Sequence, residues 1–166
     1  MGIWLKQQNT LDILEDLSEK MGIYHEPCTH EWQIDSRKRR IELWNILFLG
    51  TDRALLGTKF SGLYLELAMA YDKAGKTEEA ITALTEVINC LENHRKYGES
   101  LNAAPDEKVN LTDPMWDRLQ FPAYPPTRAI ELRTKWFDRY AEKPEYAENE
   151  TFCRLHERVK KLNQAE

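Results

Sequence analysis

Each of the three cysteines has a histidine near it in sequence, and zinc chemistry is the first thing such pairs suggest. His25, Cys28 and His30 share one short stretch, Cys90 and His94 lie four apart, and Cys153 and His156 lie three apart. Residues three or four apart on a helix share a face, so the last two pairs could each offer a nitrogen and a sulfur in one direction. Zinc takes about four such ligands in a tetrahedron. No CxxC pair is present, and the three pairs are far apart along the chain, so the spacings do not make a zinc motif. No metal site and no cofactor are therefore expected. The alternative is a small zinc-binding or thiol-based protein built on the His25, Cys28 and His30 loop. Cys90 lies among Ile88 and Leu91, which suits a buried thiol acting as a small hydrophobe.

Catalysis has less to stand on. A cysteine nucleophile needs a base and a group that orients the base, and no third member can be named for any of the three pairs. Adjacent carboxylates such as Glu78 and Glu79, or Asp12 with Glu15 and Asp16, have the spacing of solvated helix faces. No glycine-rich phosphate loop and no HExxH motif occurs. The expectation is a protein that is not an enzyme.

The charge distribution narrows the partners. Residues 1–36 hold two lysines against seven acids, and the remainder holds 21 bases and 21 acids, so the net charge of -5 resides in the N-terminal stretch. The body is balanced, whereas a direct nucleic-acid partner would need a basic face. The one basic run, Arg37-Lys38-Arg39-Arg40, reads as a solvated helix face. No apolar run of about 18 residues is present, so no membrane partner is expected. The first ten residues lack a signal-peptide apolar segment, and three scattered cysteines do not make a disulfide framework, so a reducing cytoplasm is the expected compartment.

The elements that would carry these residues are helices throughout. Hydrophobic residues make up 42% and charged residues 31% of the 166, enough apolar surface for one packed domain. Leu11, Leu14, Leu17 and Met21 recur at helical spacing in residues 4–21, with Gly22 as a stop. Residues 23–34 read as a loop around Pro27, and Asp35-Ser36 as the cap of a second helix carrying Ile41, Trp44 and Phe48. Residues 98–125 form the longest irregular stretch; within it, Asp113-Pro114 should start a short helix bearing Met115, Trp116 and Leu119. Helices are expected again over 129–141 and beyond Asn149, which can cap a last helix with Phe152, Leu155, Val159 and Leu162. No strand is expected. The fold class is all-α, divided into an acidic N-terminal helix and loop (1–34) and a helical domain (35–164).

Residues 60–93 carry the clearest pattern. Tyr64, Leu67, Ala68 and Tyr71 recur at helical spacing, Gly75 interrupts, and Ala80, Leu84, Val87 and Ile88 resume the period. Two amphipathic helices joined by a glycine turn make an αα-hairpin, with Ala68 and Ala80 small where backbones approach. This pattern resembles one tetratricopeptide repeat, a helix–turn–helix unit of about 34 residues. Tyr64 and Tyr71 stand at its aromatic positions, Gly75 at its turn and Ala80 at the small position of its second helix. The closing proline is missing, and no second repeat follows at a fixed period.

The longer order of a hairpin, then TDPMWDRLQFP, then a helix and a closing segment over 152–162, resembles the C-terminal sensor region of bacterial Xre-type transcriptional regulators. Trp116-Asp117-Arg118-Leu119 carries part of that resemblance, which covers residues 60–164. Those regulators place a helix-turn-helix module ahead of this region, and none is read here. That leaves a separated regulatory part or a chain without a DNA role.

Resemblance to the repeat implies a TPR-like helical hairpin with flanking packed helices, and a protein- or peptide-binding regulatory function. It also implies a groove lined by the hairpin's first helix through Leu65, Met69, Asp72 and Lys73. Trp116, in the irregular stretch, is the aromatic residue expected to join them. These residues do not reproduce the Lys/Asn/Arg clamp that some family members use for C-terminal carboxylates, so an apolar or amphipathic peptide is the implied ligand. Finally, Ile3, Trp4, Leu11, Leu14 and Leu17 give the first helix an apolar surface that a homodimer or the chain's own core could cover.

Overall fold

A computed structural model describes residues 2–20 and 29–164. The described chain is essentially all-α. In order it runs α1 (Ile3–Lys20), α2 (His30–Leu47), α3 (Gly50–Leu55), α4 (Gly57–Lys73), α5 (Thr77–Ser100), β1 (Lys108–Asn110), β2 (Gln120–Pro122), α6 (Thr127–Ala141), α7 (Pro144–Ala147) and α8 (Glu150–Gln164). No helix is long and apolar enough to cross a membrane among the described residues.

The expected hairpin is α4 and α5, the most closely packed pair of elements. Gly75 joins them with φ +71°, the left-handed region where a side chain is strained and glycine is not. Ala68 and Ala80 are fully buried at the helix interface. A third small residue was not anticipated. A Cβ built on Gly57 would lie 2.2 Å from the Cys90 carbonyl oxygen and 2.7 Å from His94 Cβ. Glycine at the start of α4 therefore lets that helix rest directly on the backbone of α5.

Around this hairpin, α2 packs against α4, α8 packs against α5 and α6, and α1 lies on α2. Two aromatic clusters fill the layers. Trp44, Phe48 and Trp116 stack in series, with centroids 5.4 and 5.3 Å apart. Phe137, Tyr140, Tyr146 and Phe152 interlock beneath α6 and α8, at 4.8 to 6.4 Å. Such pairs add about 0.5–1.5 kcal/mol each beyond the area they bury.

Several expectations are corrected. The second helix starts at His30, not at Asp35, and so runs through the boundary placed between residues 34 and 35. Thr29 is its cap: the Thr29 hydroxyl oxygen accepts from the Trp32 N–H at 3.1 Å. Ser36 lies inside the helix and donates back to the Gln33 carbonyl instead. Strands are present as well, though only as one antiparallel pair of three residues each, with Val109 opposite Phe121. Residues 112–118 form turns rather than a short helix. Asn149 does cap α8, accepting from the Phe152 N–H at 3.1 Å.

The irregular stretch is ordered by a carboxylate 60 residues away. Asp52 on α3 is buried, and it accepts from the Thr112 N–H at 2.6 Å, the Thr112 hydroxyl at 2.8 Å and the Asp113 N–H at 2.8 Å. Trp116 then inserts under α2, donating its indole N–H to the Leu47 carbonyl at 3.1 Å. These contacts place β2 and Pro122 against the hairpin.

α1 folds back on its own chain. Leu11 and Ser18 are buried, Lys59 pairs with Glu15 at 2.8 Å, and the Gln7 side chain bonds Asp117 and the Arg118 N–H at 3.1 and 3.0 Å. Ile3, Ile13 and Leu17, which share another face of α1, stay more than half exposed.

Candidate functional site

Two cavities lie along successive turns of the same two helices. α4 contributes Thr58, Lys59, Gly62, Leu63 and Glu66 to the first, then Met69, Asp72 and Lys73 to the second. From the other side come Pro126 and Arg133 at the first cavity, then Trp136, Arg139, Tyr140 and Lys143 of α6 at the second.

The second cavity, about 180 Å³, holds three of the residues expected to line a groove: Met69, Asp72 and Lys73. Leu65 is not among them. It is buried in the hydrophobic core on another face of α4. Trp116 is absent too, since it is fully buried against Phe48 at the other end of the molecule. Both assignments are corrected by burial. Helical spacing does not say which face of α4 meets α2 and α5, and Trp116 lies in an irregular segment that only tertiary contacts place.

Residues that sequence reasoning missed complete this cavity. Trp136 is half-buried, with the Arg139 guanidinium stacked on its ring at 4.8 Å. Asp72 already has its partners: Lys143 Nζ sits 2.6 Å from one oxygen, and the Tyr146 hydroxyl donates to the other at 2.8 Å. Burial, and after it the hydrogen bond to Asp72, pushes the Tyr146 phenol well above its ordinary range, so Tyr146 stays a donor. With Asp72 neutralised, the rim that remains is cationic, through Lys73 and Arg139.

The first cavity is larger, about 400 Å³, and was not anticipated. Trp44, Leu55, Leu56, Leu63, Phe121 and Pro122 give it apolar walls. Arg40 reaches it from α2 and pairs with Glu66. The basic run 37–40 is therefore split between two environments: Arg40 is buried, while Lys38 and Arg39 face solvent. His94, also buried, has both ring nitrogens in use, Nε2 donating to the Pro122 carbonyl at 2.9 Å and Nδ1 facing the Thr58 hydroxyl at 3.2 Å. Burial lowers its pKa, so it is the neutral imidazole that sits here.

Of the Cys/His groups, His25 and Cys28 lie outside the described residues, and His30 is exposed as the first residue of α2. The Cys90 thiol is pushed up to about 12, chiefly by burial, which makes it a poor nucleophile at neutral pH. Cys153 is exposed and donates to the Ala147 carbonyl, while His156 turns to Asp138 at 2.7 Å. Among the described residues, no group of three or more His, Cys, Asp or Glu is placed to hold a metal.

Fold and cavities together define an essentially all-α domain with one deep and one shallow pocket on a shared helix pair. No family model matches the chain, and no curated protein and no solved structure matches it either.

Proposed function

We propose that this chain is a non-enzymatic protein- or peptide-binding regulatory module whose peptide contact is the shallow cavity between α4 and α6. The observation that carries the reading is the convergence of Met69, Asp72 and Lys73 with Trp136 and Arg139 around one opening. An apolar side chain of a partner would fill the space between Met69 and Trp136. An acidic neighbour on the same peptide would meet Lys73 and Arg139, because Asp72 is held by Lys143 and Tyr146. Amphipathic segments bind apolar grooves in this manner, with a few side chains anchored and charges setting orientation. The inert Cys90 thiol and the fully bonded His94 agree with a binding role rather than a chemical one. The regulatory part of the reading rests on the sensor-region resemblance.

Selection from a random peptide library, followed by titration of the enriched sequences, tests this. Enriched peptides should pair an apolar residue with an acid. Met69→Glu and Trp136→Ala should each weaken them at least tenfold while the variants stay folded at the temperature of the titration. Enrichment of sequences indifferent to both substitutions would overturn the assignment.

The exposed Ile3, Ile13 and Leu17 of α1 favour, within the same reading, a two-fold homodimer through that face. Light scattering should give a dimer at tens of micromolar and a monomer for Ile13→Asp/Leu17→Asp. A monomeric intact chain would remove the dimer.

A further inference from the structure

We infer that the deep cavity lined by Trp44, Arg40 and Arg133 is a binding site for a small organic acid, a carboxylate on an apolar body.

Three cations and three carboxylates line the cavity, but they are not all paired with one another. Lys59 is taken by Glu15, and Arg40 by Glu66. Glu19 stands exposed at the mouth. Arg133 has no carboxylate at ion-pair distance among the described residues. Its guanidinium makes only long contacts, Nε to the Ser61 hydroxyl at 3.3 Å and Nη2 to the Thr58 carbonyl at 3.4 Å. Burial disfavours its charge, and the field of Glu66 only partly offsets that. A partly buried cation with no carboxylate in contact is disfavoured, and an anion entering from solvent would relieve it.

Two further donors at the same cavity are unused. The Trp44 indole N–H and the Arg40 Nε–H are buried without any hydrogen-bond partner, on residues only 1% and 7% exposed. Buried donors are nearly always satisfied; neither of these N–H groups has accessible surface as the side chains stand, so an acceptor in the cavity meets them only after a side-chain shift. Arg133 is the donor open to the cavity, and its guanidinium can take a carboxylate, which accepts only, in bidentate fashion. The remaining walls are leucine, proline and phenylalanine, which suit a hydrocarbon body. At the roughly 30 Å³ that a water-sized group occupies in a liquid, the space of about 400 Å³ takes about 13 such groups.

Gly62 makes room for the arginine. A Cβ at this position would come within 3.1 Å of Arg133 Nη2. His94 holds the floor, fastening Pro122 of β2 to α5.

This site is separate from the peptide cavity, and its test uses no peptide partner. The probes are 4-phenylbutyrate, the matching alcohol and the matching amine, titrated into the intact chain by calorimetry, with thermal shift in parallel. The acid should bind at micromolar to low millimolar concentration, at least tenfold tighter than the alcohol, and the amine should not bind. Arg133→Gln should lose at least tenfold for the acid and leave alcohol binding unchanged. If that variant fails to fold, the acid-over-alcohol preference of the unaltered chain decides, and equal affinities overturn the inference. No binding of the acid at about 5 mM overturns it as well. A short acetylated dipeptide with a free carboxylate serves as a competitor. If it displaces the acid and binds tenfold tighter, while its amide does not, the carboxylate belongs to a peptide end and the small-acid reading is wrong.

Discussion

The two cavities share two helices and differ in how their charges are settled. At the shallow end every buried polar group has a partner within the chain: Asp72 holds Lys143 and Tyr146 together. At the deep end the Trp44 indole N–H and the Arg40 Nε–H have no partner in the chain, and Arg133 makes only two long hydrogen bonds. Self-satisfied polar groups stabilise a fold, whereas unsatisfied ones destabilise it until a ligand arrives. The comparison predicts that removing polar groups has opposite effects at the two ends.

The largest effect should come from the carboxylate that builds the deep end. Asp52→Ala strips partners from the Thr112 and Asp113 N–H groups and releases the stretch that brings Phe121 and Pro122 to the cavity. A loss of about 3 kcal/mol or more is expected in denaturant titration. A loss below about 1 kcal/mol would mean that the stretch is held by Trp116 and its neighbours instead.

Next is the shallow end. Asp72→Ala leaves the Tyr146 hydroxyl buried without its acceptor and frees Lys143, and should cost roughly 1–3 kcal/mol. Most of this comes from the tyrosine, because the lysine is substantially exposed and its pairing is screened.

Arg133→Met should do the reverse. It replaces a partly buried cation that has no ion-pair partner with an apolar chain of similar length, and a gain of about 1 kcal/mol is expected for the unliganded protein. A destabilised Arg133→Met variant would show that the guanidinium is satisfied and would break the contrast between the two ends.

The smallest effect is a pH slope. Burial holds His94 below its ordinary 6.5, so the unfolded chain takes up the proton first as pH falls. Its contribution to stability is complete above 6.5, declines as pH drops below that value, and is gone below the folded-state pKa. Stability measured from pH 7 downwards should therefore fall more steeply for the unaltered chain than for His94→Gln. Parallel slopes would mean that the imidazole charges without leaving its place between Thr58 and Pro122.

Much of this architecture is local and was legible in residue order. Helical periodicity marks α1, α4, α5, α6 and α8 because each must bury one stripe. Gly75 and Asn149 announce a turn and a cap because their chemistry acts on residues two or three positions away. The groove was legible only in part. Spacing puts Met69, Asp72 and Lys73 near one another on α4, but it does not say that Leu65 turns to the core or that Trp136 and Arg139 arrive from α6.

Residue order alone thus determined that the chain is helical and where its central hairpin turns. Tertiary structure alone decided the rest. It buried Trp116, bound Asp52 to residues 60 positions away, split a basic run between solvent and core, and left Arg133 without a counter-ion. The physical reason is range: propensity, periodicity and capping act within a turn or two of helix. A cavity and the charges that face it are set by segments that meet only after the hydrophobic faces have paired.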